Sequence, residues 1–231
     1  MSYKNWTEED VERRRLDELQ EKVVGKYLDN YFYSTWTTDI TRNTDKETQI
    51  KGLDLTVTST NNNVYTIDEK AAVKWANKDL QTFAFEIDSL DKNGNLYNGW
   101  FMTSTKDSAN DYWLLVWIDK ANEVRFTNVD DIQQITVALI KKTDIYNWMH
   151  RKNITGIDLK NAAADLRENY NYNNYYKSSY INGYKLTIQP AVSEHATNIL
   201  IPRNILLNEV ATYSAVVKKN NVTVIRKKLG V

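Results

Sequence analysis

Apolar and polar positions change period several times along this chain, and each change marks an element. Thr7-Glu8-Glu9-Asp10 is a capping-type helix start with acids set against the helix dipole. Leu16, Leu19, Val23, Tyr27 and Tyr31 then recur at spacings of three and four, and Val24, Leu28 and Phe32 broaden the stripe. This predicts a helix over about 8–32. Residues 37–48 are polar and rich in Thr and Asp, which predicts a loop. The period then drops to two. Leu53, Leu55 and Val57 alternate with Asp54, Thr56 and Thr58, the run Asn61-Asn62-Asn63 signals a turn, and Tyr65 and Ile67 alternate with Thr66, Asp68 and Lys70. A connection with some helical character follows at 71–75. A third strand places Phe83, Phe85 and Ile87 opposite Thr82, Ala84 and Glu86, and leads to a turn at 91–95. Further strands are expected over 99–102, 112–118, 123–128, 185–189, 198–201 and 213–226, with helices over 143–152 and 158–169 and a short one after Pro202. Residues 170–180 read as an Asn/Tyr-rich loop.

The order of helix, several strands, then helices and strands predicts an α/β or α+β fold in one domain. Its core should span about 7–130, with the helices and basic strands of 143–231 as an elaboration. No internal repeat and no Pro/Gly/Ser linker divides the chain.

Side chains two apart on a strand share a face. Asp54 lies opposite Leu53 and Leu55, Asp68 and Lys70 lie opposite Ile67, and Glu86 lies opposite Phe85 and Ile87. If the apolar faces form one core, all three strands turn their acids to the other side of the sheet. Two or three carboxylates and an ammonium would then converge. That set suits a hard divalent cation, which takes oxygen ligands and leaves positions for water and a phosphate oxygen. Such an ion lowers the pKa of bound water, and the lysine would orient or deprotonate the attacking water, or stabilise the pentacovalent phosphorus. The bland alternative is a solvated sheet face with cross-strand ion pairs. Glu69 points with Ile67 and stays outside the site.

Composition narrows the field. At 231 residues, 42% apolar and 26% charged, the chain suits an ordinary globular protein. No apolar run is long enough for a membrane span, and the N-terminus lacks a secretory pattern, so a cytoplasmic protein without a membrane partner is expected. The absence of cysteine excludes disulfides, thiolate zinc sites and cysteine nucleophiles. Neither a G-x-S-x-G elbow nor a G-x-x-x-x-G-K-[ST] loop occurs. His150 and His195 fall in no ligand pattern and are expected at the surface. Trp100, Trp113 and Trp117 sit in apolar strands and read as core. Net charge is zero, but residues 171–231 carry eight Lys/Arg against two acids, which leaves +6 there and −6 before it. Lys218, Lys219, Arg226, Lys227 and Lys228 are therefore candidate phosphate contacts, with solvated strand ends as the equal alternative. The tract Tyr170–Tyr176 is a base-stacking platform or a plain surface loop.

The segment Gln49-Ile50-Lys51-Gly52-Leu53-Asp54, followed by Ile67-Asp68-Glu69-Lys70, resembles the spaced Asp…(Asp/Glu)-x-Lys signature of the PD-(D/E)XK nuclease superfamily. Residues 82–87 and 99–101 resemble its uncharacterised phage-type and bacterial members. The resemblance covers roughly 45–118. It implies a restriction-endonuclease-like central mixed β-sheet flanked by helices, a Mg²⁺ or Mn²⁺ cofactor and a nucleic-acid substrate, DNA ahead of RNA. It casts Asp54 and Asp68 as metal ligands, Lys70 as the catalytic lysine, Gln49 as an auxiliary residue, and Glu86 as an extra ligand or structural acid. Leu53 stands where the family has proline and Asp68 where glutamate is more frequent. The family's helix glutamate has no obvious counterpart; Glu47 or Gln49 would substitute. The expected function is metal-dependent phosphodiester hydrolysis. The alternatives are a non-catalytic nucleic-acid-binding or host-interaction module on the same fold, and a protein–protein interaction domain. The oligomeric state is open, a homodimer included.

Overall fold

A computed structural model describes residues 7–45, 52–91, 93–103, 110–168, 177–188 and 195–228. It is a mixed α+β structure with two sheets, in two compact units of interleaved sequence. Residues 15–81, 105–145 and 203–231 form one unit, and residues 1–14, 82–104 and 146–202 the other.

The larger unit is built on a seven-stranded mixed sheet. Its strands are β1 (Thr37–Arg42), β2 (Leu55–Ser59), β3 (Val64–Ala71), β6 (Tyr112–Ala121), β7 (Ile132–Lys141), β11 (Tyr213–Lys218) and β12 (Asn221–Lys227), paired in that order. All neighbours are antiparallel except β3 and β6, which run parallel. Helix α1 (Glu8–Tyr31) packs Val24, Tyr27 and Leu28 into a core with Leu55, Val57, Ile67, Leu114, Val116, Ile135 and Val137. Each such side chain contributes about 1.5–3 kcal/mol when fully buried. The apolar stripe read along α1 holds from Val24 onward. Leu19, however, is 47% exposed, while Gln20 is buried and donates to the Val124 carbonyl at 2.9 Å.

Three expectations for this unit need correction. The Thr/Asp-rich segment expected to be a loop contains β1. It is an edge strand whose alternating polar residues are largely exposed, so burial leaves little mark on its composition. The strand expected over 123–128 is a connection that ends in a 3-10 turn, Val129–Asp131, capped by Asp131 Oδ2 accepting from the Asn128 and Thr127 N–H groups. Strand β7 was not expected at all. Its residues 135–140 are buried on both faces, and this run, apolar except for Thr136, shows no sustained two-residue period.

The smaller unit holds a five-stranded sheet ordered β5 (Leu96–Asn98), β4 (Thr82–Leu90), β10 (Thr197–Pro202), β9 (Tyr184–Ile188) and β8 (Lys177–Ile181). Helix α3 (Gly156–Glu168) starts on a reciprocal cap: Thr155 Oγ1 accepts from the Asp158 N–H, and Asp158 Oδ2 accepts from the Thr155 N–H. Residues 99–102, expected as a strand, form a turn after β5. Helix α2 (Lys142–Arg151) matches its expected span to within a residue. His150 is exposed, as expected. His195 is not: it is 6% exposed, has φ +43°, and its carbonyl accepts from Arg167, which also pairs with Asp88. Burial first, then the Arg167 charge, pull the His195 pKa below the ordinary histidine value. Gln49, Glu47 and the tract 170–176 lie outside the described residues.

Candidate active site

The β2–β3 hairpin brings the acids together. Leu55 pairs with Ile67, and the Asp54 N–H donates to the Ile67 carbonyl at 3.1 Å, which sets Asp54 across from Asp68. Gly52, at φ +74°, turns the chain into this position, a conformation that glycine adopts without steric cost. Asp54 Oδ2 accepts from the Glu69 N–H at 2.7 Å. The Asp54 carboxyl is close enough to feel the charges of both Asp68 and Lys70. Lys70 Nζ donates to Asp68 Oδ1 at 2.6 Å. The three heads read from sequence therefore meet.

Their surroundings are not those of a solvated face. Asp68 is 3% exposed. The parallel pairing sets Asp68 beside Trp113 and Lys70 beside Leu115, and the next strand continues those rows with Ile140 and Ala138. All four neighbours are buried. Acid and amine thus lie in an apolar sheet face, on the side away from α1. A buried charge in such a place is costly unless it is paired or serves a ligand.

Electrostatics follow from this setting. Loss of water, then the Asp68 charge, raise the Asp54 pKa from 3.8 to about 6, against the pull of Lys70 and the Glu69 N–H. Burial opposes the Lys70 ammonium, but Asp68 and Asp54 outweigh it, so its pKa sits above the ordinary lysine value. Two further groups escaped sequence reading. Glu21, on α1, feels both Lys70 and Asp54; crowding by protein raises its pKa from 4.5 to about 7. Its signal was a lone acid within a highly charged helix, which points nowhere by itself. Lys142 is 4% exposed, with its ammonium 5.1 Å from the centre of the Trp113 ring. Burial lowers its pKa, and the Asp68 charge opposes that.

The raised Asp54 pKa fixes a sign. Asp54 holds a proton in the folded state that the unfolded chain releases, so folding stability falls as pH rises through the window from about 4 to 6. The metal-free protein should melt at a higher temperature near pH 5 than near pH 7.5, and Asp54→Asn should flatten that slope. Thermal melts across this range check it, and a wild-type melting temperature that rises with pH counts against the raised acid.

Glu86 is not part of this constellation. It lies on β4, paired with Asn198 in the five-stranded sheet. Alternation assigned its face within a strand, but that strand belongs to another sheet. Glu69 points to the α1 side, as expected, and accepts from Arg42 at 2.9 Å and from the Tyr33 hydroxyl at 2.8 Å. In the basic end, Lys219 pairs with Asp130 and Lys228 with Asp144, and Arg226 donates to the Asn208 carbonyl. Lys218 and Lys227 are exposed at strand ends.

Among the described residues no cluster of three or more Asp, Glu or His side chains stands close enough to hold a metal. The donors at hand are the Asp54 and Asp68 carboxylates, with a buried amide oxygen of Asn110 beside Asp68. An all-oxygen set of this kind fits Mg²⁺ or Mn²⁺ better than zinc or copper. Among the described residues no helix is long and apolar enough to cross a membrane. Comparison with protein-family models, curated proteins and solved structures finds no match.

Proposed function

We propose that this chain is a metal-dependent nuclease with a restriction-endonuclease-like larger unit, hydrolysing phosphodiester bonds in nucleic acid, DNA ahead of RNA. The observation that carries the reading is the convergence of Asp54, Asp68 and Lys70 in an apolar sheet face. The order of elements supports it: α1, three antiparallel strands with the acids on the second hairpin, then a parallel fourth strand.

In this reading Asp54 and Asp68 hold the cation, which supplies Lewis acidity and an acidified water when bound. Asp54 is oriented by the Glu69 N–H. Lys70, held by Asp68 Oδ1, would place positive charge where charge builds on the phosphate. Asp68 and Lys70 ride on alternate positions of one strand, which fixes their spacing without a mobile loop.

The direct Lys70–Asp68 ion pair favours a second reading, a nucleic-acid-binding module that does not cut, because the pair neutralises the acid a metal would need. One experiment separates the two. Purified protein is incubated with DNA and with RNA in Mg²⁺, in Mn²⁺ and in excess chelator. Metal-dependent cleavage that chelator abolishes is expected. Intact nucleic acid under every condition, with retained binding, overturns the enzyme in favour of the module.

A further inference from the structure

Asn110 lies just before β6, where the Asp111 N–H donates to the Thr66 carbonyl at 3.0 Å and Asp111 Oδ2 accepts from the Thr66 hydroxyl at 2.9 Å. These bonds pin the segment beside the Asp68 strand. Asn110 itself is 5% exposed. Its Nδ2 donates to the Tyr112 carbonyl at 2.7 Å. A carbonyl only accepts, so the amide orientation is fixed: the nitrogen faces Tyr112 and the oxygen must face the other way.

That oxygen has no hydrogen-bond partner among the described residues. It borders the space over Gly52. A Cβ on Gly52 would stand 3.1 Å from Asn110 Oδ1 and 3.2 Å from Asp68 Oδ2. Two buried acceptor oxygens therefore flank one small space that no side chain among the described residues fills. An unpaired buried acceptor is costly, and a second acceptor nearby adds repulsion. Lys70 bonds the other oxygen of Asp68, Oδ1, and so leaves Oδ2 facing the space.

We infer that Asn110 Oδ1 is a neutral oxygen ligand which, with Asp68 Oδ2, holds the divalent cation over Gly52. The inference rests on the nuclease reading for the presence of a cation, and adds a donor from the segment leading into β6 that the sequence motif does not contain. It explains how two carboxylates suffice: the amide supplies an oxygen without a third negative charge in a buried site, where like charges disfavour one another. It also gives the glycine a reason. Any side chain at 52 would occupy the space between the oxygens, besides being strained at φ +74°.

The test is Mn²⁺ binding by calorimetry on wild type, Asn110→Ala, Asn110→Asp and Asp68→Ala, each checked for folding by circular dichroism. Asn110→Ala should weaken Mn²⁺ binding by about tenfold or more, as loss of a metal-orienting group does. Asn110→Asp should bind at least as tightly as wild type, because it keeps the oxygen and adds charge. Both variants lose the bond to the Tyr112 carbonyl, so a merely structural amide would weaken both alike. If Asn110→Ala does not fold, Asn110→Asp decides by itself: binding weaker than wild type overturns the inference. Unchanged affinity in Asn110→Ala, with binding abolished in Asp68→Ala, leaves the metal site standing and assigns the amide oxygen to a water. No Mn²⁺ binding by wild type defeats both the inference and the nuclease reading.

Discussion

Replacing Lys70 by alanine should lower metal-dependent cleavage by about 10²–10³-fold, the usual effect of removing one group aimed at developing charge. Asp68→Ala should lose at least as much, since it removes the proposed metal ligand and the acid that bonds the lysine. Stability separates the two effects. Asp68→Ala leaves the Lys70 ammonium with its 2.6 Å partner gone from a largely buried setting. Breaking a buried pair in this way costs about 3–5 kcal/mol, whereas removing both members together costs far less. The double variant, Asp68→Ala with Lys70→Ala, should therefore be more stable than Asp68→Ala alone, and just as inactive. Urea melts and cleavage assays on the four proteins form a double-mutant cycle. Folded single variants that still cut at the wild-type rate would end the assignment of these residues.

The second large effect lies on the opposite face of the same strand. Arg42, at the end of β1, donates to Asp29 Oδ2 at 2.8 Å and to Glu69 Oε2 at 2.9 Å, and its Nη2 also reaches the Gly25 carbonyl. Tyr33 adds its hydroxyl to Glu69. This network ties α1 to β1 and β3, and holds the residue whose N–H orients Asp54. Arg42→Met keeps the packing of the alkyl stem but strands two carboxylates, one of them only 13% exposed. A loss of about 3 kcal/mol is expected. Burial already raises the Glu69 pKa against the pull of Arg42, and without the arginine it rises further. The sign then follows: a raised folded-state carboxyl destabilises as pH rises above the unfolded value, so the loss should be larger near pH 8 than near pH 5. Chemical melts at both pH values check this. An equal loss at the two would mean that Glu69 does not titrate in the variant.

How much of this was legible in the chain depends on the distance over which each signal acts. Periodicity is local, so it marked α1, the β2–β3 hairpin, α2, α3 and the face on which Asp54, Asp68 and Lys70 stand. It also kept Glu69 off that face, correctly. Strand β1 was missed because an edge strand leaves its polar residues in water, and β7 because a strand buried on both faces has no alternation to read. Sheet membership is a pairing between distant segments, and no local pattern encodes it. Alternation gave Glu86 a face but could not say that β4 pairs with β10 and β5 in the other sheet.

The sequence by itself determined the acidic hairpin: two carboxylates and a lysine two residues on, fixed by the pleat to one side of the strands. Only the tertiary structure decided that this side is apolar, because the rows from Asp68 and Lys70 run on into β6 and β7 through Trp113, Leu115, Ile140 and Ala138. The parallel β3–β6 pairing likewise brought Asn110 to the acids from 42 positions along the chain. Spacing along one strand is covalent geometry and can be read from the chain. The dielectric around a charge, and the oxygens that share a space with it, are set by whatever folds against it.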